Sequence, residues 1–218
     1  MKIISDIRLY EGDDSKTFRN KRANLAAHRV AMKLREKAFS LGEYDHLYLC
    51  FSPDKPEESV FLEDKVDRCS PWFRNVYIGL SQDELVAIET AEEPTQVLNL
   101  IENVLLALFG VNAETEITIR EAITEAKKGS EMLMCFKEKK TAKGTAIIYL
   151  RLLDSAYYLP LLSVINAAGD EVLREDLPKT IDFGILGEIQ LSSKKVIIKP
   201  RNNVFTESLE PIEFSINL

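Results

Sequence analysis

Apolar residues recur at helical spacing near the start of the chain. After a short apolar run over residues 2–10 that predicts a strand, Asp14 or Ser15 can cap a helix running to about Leu41, with Gly42 as its stop. A rotation of about 100° per residue gives this helix two opposed apolar stripes, Ala23, Ala27, Val30, Leu34, Ala38 and Leu41 on one and Phe18, Leu25, Met32 and Phe39 on the other. A surface helix needs only one stripe, so the pattern predicts a helix buried between two layers, with a partner on one stripe as the alternative.

Two strands rich in aromatic and β-branched residues are predicted at residues 44–52 and 72–80. A polar connection containing Pro53 and Pro56 joins them. It is too long for a tight hairpin, and connections of this length inside a domain are typically functional or disordered.

Three further helices are predicted before residue 130. Ser81 and Glu84 have the spacing of a capping box for a short helix over residues 82–91. A second main helix is predicted over residues 95–109, and because it is apolar nearly all round we expect it to be a central, buried one. Residues 117–128 also have helical character.

The pattern changes to short β-like runs in the second half. These runs cover residues 132–136, 145–153, 157–166, 171–173, 187–191, 195–199 and 212–216. The prediction is an α+β fold with a mixed α/β N-terminal half containing two main helices and a strand-rich, antiparallel C-terminal half. We expect lobes over 1–130 and 131–218 that meet at a polar interruption formed by residues 137–140 and Gly144, with one single domain as the alternative.

Composition indicates a folded protein of the cytoplasm. Of 218 residues 45% are hydrophobic and 29% charged, and a disordered chain would lack so many aliphatic residues. Three cysteines without a paired spacing argue against a disulfide scaffold and favour a reducing compartment. No secretory signal is visible at the start and no apolar run approaches the roughly 20 residues of a membrane span, so no membrane association is expected.

The charges are divided unevenly along the chain. The net charge is −7, yet residues 16–37 hold eight basic residues and one acidic residue, and residues 54–93 hold eleven acidic and four basic residues. The basic residues of the first helix are split between its flanks, and an acidic protein has no overall attraction to phosphates. Nucleic-acid binding is therefore disfavoured. Residues 16–37, called here the basic arm, could instead neutralise the charge of the acidic segment within the same molecule.

Candidate catalytic chemistry is sparse. No phosphate-binding loop, zinc helix or serine elbow pattern occurs, and His28 and His46 are the only histidines. His46 and Cys50 share a strand face, but four residues along a strand separate their Cα atoms by roughly 13 Å, which excludes direct contact. We expect no cofactor and no metal, and an enzyme would need an unrecognised site at Asp45 and His46 with a distant residue such as Cys69.

The acidic connection between the two aromatic strands is the candidate partner-binding segment. It lacks the spacing of a calcium loop, and a solvated acidic surface is the simplest interpretation of its charges. The same segment carries apolar residues among its carboxylates, which would suit recognition of a basic protein. The predicted binding residues are Glu57, Glu58, Phe61, Glu63, Asp64, Asp67 and Trp72.

The two aromatic strands also carry a family resemblance. Residues 44–53, YDHLYLCFSP, and residues 72–80, WFRNVYIGL, resemble the paired aromatic strands of bacterial immunity proteins associated with polymorphic secreted toxins. The resemblance implies a cytoplasmic, non-enzymatic protein that binds and blocks a cognate toxin, for which a basic toxin domain is the expected partner. A structural or adaptor component of a bacterial assembly and an enzyme near Asp45 and His46 are the alternatives, and the oligomeric state is left open.

Overall fold

The α+β class expected from the sequence is confirmed. A computed structural model describes residues 1–13, 15–64 and 69–218. The chain divides into two compact units, Met1–Met132 and Leu133–Leu218, which are called here the N-terminal and C-terminal units. None of the helices among the described residues combines the length and apolarity needed to span a bilayer.

The N-terminal unit mixes helices with a sheet that contains parallel strands. In chain order its elements are β1 (Lys2–Ile3), β2 (Asp6–Glu11), α1 (Lys21–Glu36), β3 (Ser40–Gly42), β4 (His46–Ser52), β5 (Val60–Leu62), β6 (Phe73–Gly79), α2 (Gln82–Thr90), α3 (Thr95–Phe109) and α4 (Ala113–Ala126). The main sheet has the order β2-β4-β6-β5, in which β2, β4 and β6 are parallel and β5 runs antiparallel to β6. The two predicted main helices correspond to α1 and α3, and α4 is nearly as long as either.

Helix α1 is shorter than predicted at both ends. Asn20 is the actual cap, because its side chain accepts a hydrogen bond from the Ala23 N–H at 3.1 Å. Phe18 before the helix and Phe39 and Leu41 after it are buried in extended or turn segments, and the Phe18 N–H donates to Leu9 of β2 at 3.0 Å. Ala38, predicted on the first apolar stripe, is exposed and adopts a positive φ of 53° just after the helix ends. The predicted span was wrong because apolar periodicity continues wherever a chain stays in contact with the core. Asp14 lies outside the described residues.

One face of the main sheet forms the core of the N-terminal unit. Alternate residues of the three parallel strands point to this face and are buried, namely Ile7, Leu9, Leu47, Leu49, Phe51, Val76 and Ile78. Helix α1 packs on β2 and also against α3 and α4. Burial of each of these large apolar side chains stabilises the unit by about 1.5–3 kcal/mol.

Helix α3 covers part of this core without being central. Val97, Leu98, Ile101, Val104 and Leu105 are buried, whereas Asn99, Asn103 and Ala107 are exposed and Leu100 is half-buried. The expectation of an all-round buried helix was therefore wrong. Leucine and alanine tolerate partial exposure, so a high apolar content alone does not define a buried helix.

The C-terminal unit consists of antiparallel strands, as expected. They are β7 (Met134–Thr141), β8 (Gly144–Leu152), β9 (Tyr158–Asn166), β10 (Glu171–Asp176), β11 (Glu188–Leu191), β12 (Lys195–Lys199) and β13 (Ile212–Ser215), paired in the orders β10-β9-β8-β7 and β11-β12-β13. Residues 137–140, expected to interrupt the chain between lobes, belong instead to β7 and pair with Ala146, Ile147, Ile148 and Thr145 of β8. A neighbouring strand satisfies their backbone, so exposed polar side chains do not prevent a strand there.

Candidate functional site

Strand β5 lies at the edge of the main sheet, within the connection between β4 and β6. It pairs with β6 through Val60 with Ile78, Phe61 with Tyr77, and Leu62 with Val76. No other described strand pairs with its outer side. The Gly79 N–H donates to Ser59 at 2.9 Å and the Glu63 N–H to Asn75 at 2.9 Å. By the alternation of an antiparallel ladder, the backbone groups of Val60 and Leu62 therefore point away from β6.

Large apolar side chains are exposed on this edge strand and at the start of β6. Phe61 is 48% exposed and Leu62 37% exposed, on opposite faces of the strand. Trp72, the residue before β6, is 42% exposed and meets the Phe73 ring edge-on at 6.5 Å. An edge strand with open backbone groups and exposed apolar side chains can pair with another chain.

Carboxylates lie at both ends of β5. Glu57 and Glu58 precede the strand and are exposed, and Glu63 and Asp64 follow it. Glu63 is half-buried and accepts a hydrogen bond from the Asn75 amide at 3.0 Å. Lys55, a basic residue of the same connection, lies over the Tyr77 ring at 5.1 Å. The strand edge is therefore flanked by negative charge. Asp67, also predicted as a binding residue, lies outside the described residues.

A strained turn holds the first pair of carboxylates in place. Glu58 has a positive φ of 59°, a conformation that costs a residue with a Cβ about 1–2 kcal/mol. The Glu58 N–H donates to Gly79 at 3.0 Å, and the Ser59 N–H donates to Pro56 at 3.1 Å. The turn lies so close to β6 that a Cβ on Gly79 would fall 1.8 Å from the Pro56 oxygen. Two backbone bonds and this close contact fix the backbone of the turn from which the exposed Glu58 side chain extends.

An apolar groove opens next to the turn, between β5 and α3. It has a volume of about 390 Å³, and its apolar lining residues are Val60, Ile78, Leu80, Leu100 and Val104. A second cavity of about 250 Å³ continues along α2 and α3 and shares Leu80, Glu84, Leu100 and Asn103 with the first. This surface is called here the β5–α3 groove.

The ionisable residues that line the β5–α3 groove are both acidic, Glu58 and Glu84. The Glu84 carboxylate accepts hydrogen bonds from the Ser81 N–H and hydroxyl, each at 2.8 Å, within the predicted capping box. The backbone hydrogen bond and then the hydroxyl bond lower the pKa of Glu84 below its ordinary value. The Glu84 carboxylate therefore contributes negative charge to the groove at neutral pH.

A larger cavity of about 510 Å³ lies elsewhere, between α1 and α4. Cations and carboxylates both line it, and its three lining cations form ion pairs: Lys33 with Glu36, Lys37 with Glu121 at 3.5 Å and Arg120 with Glu102 at 2.9 Å. With its charges compensated and no uniform sign, this cavity has less power to select a charged partner than the β5–α3 groove.

The basic arm is partly neutralised within the N-terminal unit. Arg22 donates to the Glu92 carbonyl at 2.7 Å and lies 3.8 Å from the Glu93 carboxylate, at the end of the acidic segment, and Lys16 pairs with Glu11. Arg29 is buried, with 3% of its surface exposed. The basic residues of this helix therefore do not form one continuous phosphate-binding surface.

The alternative catalytic residues form only a local pair. The His46 Nδ1 lies 2.6 Å from the Asp45 Oδ1, both side chains being largely shielded. In the described part of the chain no hydroxyl or thiol is hydrogen-bonded to this imidazole, and no group of three or more potential metal ligands occurs. Cys50 is buried and Cys69 exposed. The pair has the orienting carboxylate of a catalytic triad without an aligned nucleophile.

Sequence reasoning identified the acidic segment but missed the groove beside it. Glu84 was predicted only as part of a capping box, and Leu100 as part of a helix expected to be central and buried apart from a few polar residues. The amides Gln96, Asn99 and Asn103 recur at helical spacing, and that polar stripe was the signal for an exposed side of α3. Comparison of the chain with protein-family models, curated proteins and solved structures gives no match.

Proposed function

We propose that this protein binds a basic segment of another protein along β5 and blocks that protein's action, as an inhibitor of the immunity type. The observation that carries the proposal is the open edge of β5, which presents the exposed Phe61 between two pairs of carboxylates. Strand addition to an open edge gives affinity through backbone hydrogen bonds, and side chains on alternate positions give specificity.

The charges favour a different protein as the partner over a second copy of this chain. If two β5 strands paired antiparallel, Glu57 and Glu58 of one copy would lie near Glu63 and Asp64 of the other. Like charges placed opposite each other in a sheet are destabilising. A partner segment rich in Lys and Arg turns the same four carboxylates into attractive contacts and speeds the encounter.

The test starts with a partner captured from the native host and measures its binding kinetics at two ionic strengths. Reversal of Glu57, Glu58 and Asp64 to lysine should slow association strongly at low salt and only slightly at high salt, because exposed charges are screened within about 8 Å at physiological salt. Reversal of Glu207 and Glu210, exposed acids of the C-terminal unit, is the matched control and should leave association unchanged.

Anchoring residues should affect dissociation instead. Trp72→Ala and Phe61→Ala should each raise the dissociation rate, by a factor that corresponds to about 2 kcal/mol for a buried aromatic anchor. The captured partner should also inhibit growth when produced alone and lose that effect when this protein is co-produced. Unchanged kinetics in the charge-reversed and both aromatic variants would remove β5 from the interface, and a harmless partner would refute the inhibitory role.

The adaptor alternative makes a different prediction for the same material. A structural component would associate with itself or with a partner that has no toxic effect, and sedimentation would reveal a concentration-dependent assembly. The open edge of β5 is compatible with either kind of partner, so partner toxicity is the measurement that separates the two functions.

A further inference from the structure

We infer that the partner segment adds to β5 as a strand whose apolar side chains enter the β5–α3 groove while its basic side chains meet the surrounding carboxylates. This inference rests on the proposed function and specifies the chemistry of the segment: apolar and basic residues in strict alternation. The occupant of the groove is thus an extended basic segment of another protein.

The direction of the side chains follows from the pairing of β5 with β6. Val60 and its partner Ile78 lie on the same face of the sheet and both line the groove. Residues directly opposite each other on adjacent strands share a face, so a residue added opposite Val60 would also point to the groove side. The residue opposite Leu62 would point the same way, and the residue between them would point to the face of Phe61.

The outward backbone groups of β5 define where such a strand can bind. Val60 and Leu62 direct their N–H and C=O groups away from β6, as the alternation of the ladder requires. A strand that bonds to these groups pairs with β5 over at least three residues and passes the groove at Val60. Leu100 and Val104 of α3 then supply the wall opposite Val60.

The negative charge around β5 selects the basic residues of the segment. Glu63, two residues after Phe61, lies on the Phe61 face, to which the basic side chains of an alternating segment point. Basic residues just outside the paired segment would meet Glu57, Glu58 and Asp64 at the ends of β5, and the acidic Glu58 and Glu84 line the groove itself. The positive φ of Glu58 supports a binding role for this carboxylate, because a glycine would adopt that conformation without the steric cost. Strained residues of this kind concentrate at functional positions.

Two synthetic peptides of identical composition distinguish strand addition from helix docking. One alternates as Lys-Leu-Lys-Leu-Lys-Leu-Lys, and the other, Leu-Lys-Lys-Leu-Lys-Lys-Leu, places its leucines at helical spacing. We expect the alternating peptide to bind with about tenfold higher affinity in a fluorescence anisotropy titration, since only its leucines can all face the groove from an added strand. Equal affinities, or a preference for the helical spacing, would overturn the strand register.

A groove-filling variant tests where the leucines bind. Asn103 is exposed on α3 at the groove, so Asn103→Trp should fill the groove and weaken the alternating peptide about tenfold without unfolding the protein. Asn202→Trp, at an exposed asparagine of the C-terminal unit, is the matched control and should bind as wild type. Leu100→Ala, which removes part of the wall, should also weaken binding, and denaturant midpoints of all variants report on folding.

The outcomes separate this inference from the proposed function. Charge reversal of Glu57, Glu58 and Asp64 could weaken binding of the captured partner while the Asn103→Trp and Leu100→Ala variants bind the alternating peptide as wild type does. In that case the groove inference is wrong, and the proposal that a partner binds the edge of β5 survives. Failure of the alternating peptide to bind at millimolar concentration would also overturn the groove inference. If neither the charge reversals nor the Trp72→Ala and Phe61→Ala substitutions change the binding kinetics of the captured partner, the proposed function fails as well.

Discussion

A methyl group added at Gly79 would test whether the carboxylate-bearing turn is held against β6. In Gly79→Ala the new Cβ would lie 1.8 Å from the Pro56 oxygen and 2.7 Å from the Ser59 Oγ. Ordinary contact begins at 3.4 Å, so the turn or the strand would have to move by about 1.6 Å. Backbone on both sides of the contact leaves no flexible side chain to absorb this movement.

The cost can be worked from the bonds that the movement breaks. The turn is joined to Gly79 by the Glu58 N–H at 3.0 Å and by the Gly79 N–H to Ser59 at 2.9 Å. Each bond contributes about 1 kcal/mol, and replacement of a glycine recovers about 0.4–1 kcal/mol from the unfolded chain. If the turn moves, the net loss is therefore about 1–1.6 kcal/mol. If the turn stays in place and keeps its bonds, overpacking costs about 1–3 kcal/mol instead.

Urea denaturation with the partner-binding assay measures both consequences. A loss of this size should lower the urea midpoint by roughly 0.5–2 M for the m-values of domains of this size. If the turn detaches instead, partner association should also slow, because Glu57 and Glu58 lose their fixed position. Glu58→Gly is the informative companion: it removes one carboxylate, and relief of the positive φ should leave stability unchanged or higher. A Gly79→Ala protein with a wild-type midpoint would refute the close seating of the turn.

Three further measurements test the structure away from the binding edge. Leu34 is fully buried in α1, so Leu34→Ala should cost about 2–5 kcal/mol in denaturant unfolding, and a wild-type midpoint would contradict its place in the core. Burial acts to raise the pKa of Asp6, but the hydrogen bonds and charges of His28 and Arg8 outweigh it and hold the pKa below its ordinary 3.8. The ionised Asp6 carboxylate therefore stabilises the folded state above pH 3.8, and this stabilisation is lost as the pH falls through the lower pKa of the folded state. Asp6→Asn should reduce the loss of unfolding free energy at acid pH. Identical pH profiles for the variant and the wild type would refute the interaction of Asp6 with His28 and Arg8. We also expect no stoichiometric zinc in protein purified without added metal, and zinc that resists dialysis and disappears in His46→Ala would overturn this.

Local patterns in the sequence determined most elements of the fold. The strands β4 and β6, the helix α3 and the capping box of Ser81 with Glu84 lie where they were predicted, within a residue or two. So do most short strands of the C-terminal unit. These features depend on residues close together in the chain, namely alternation along a strand, a cap three residues from its partner, and a glycine or proline at an end.

Only the tertiary structure decided what the acidic segment could do. In the sequence, Phe61 and Trp72 lie among carboxylates. The structure pairs β5 with β6, so that the outer backbone groups of Val60 and Leu62 form an open edge, and it places α3 next to Val60. The positive φ of Glu58 depends on Gly79, which lies 21 positions further along the chain. Apolar periodicity indicates that a residue packs against a core, but the residues it contacts depend on how distant segments of the chain pack. For this reason the groove and the ends of α1 could be identified only in the folded structure.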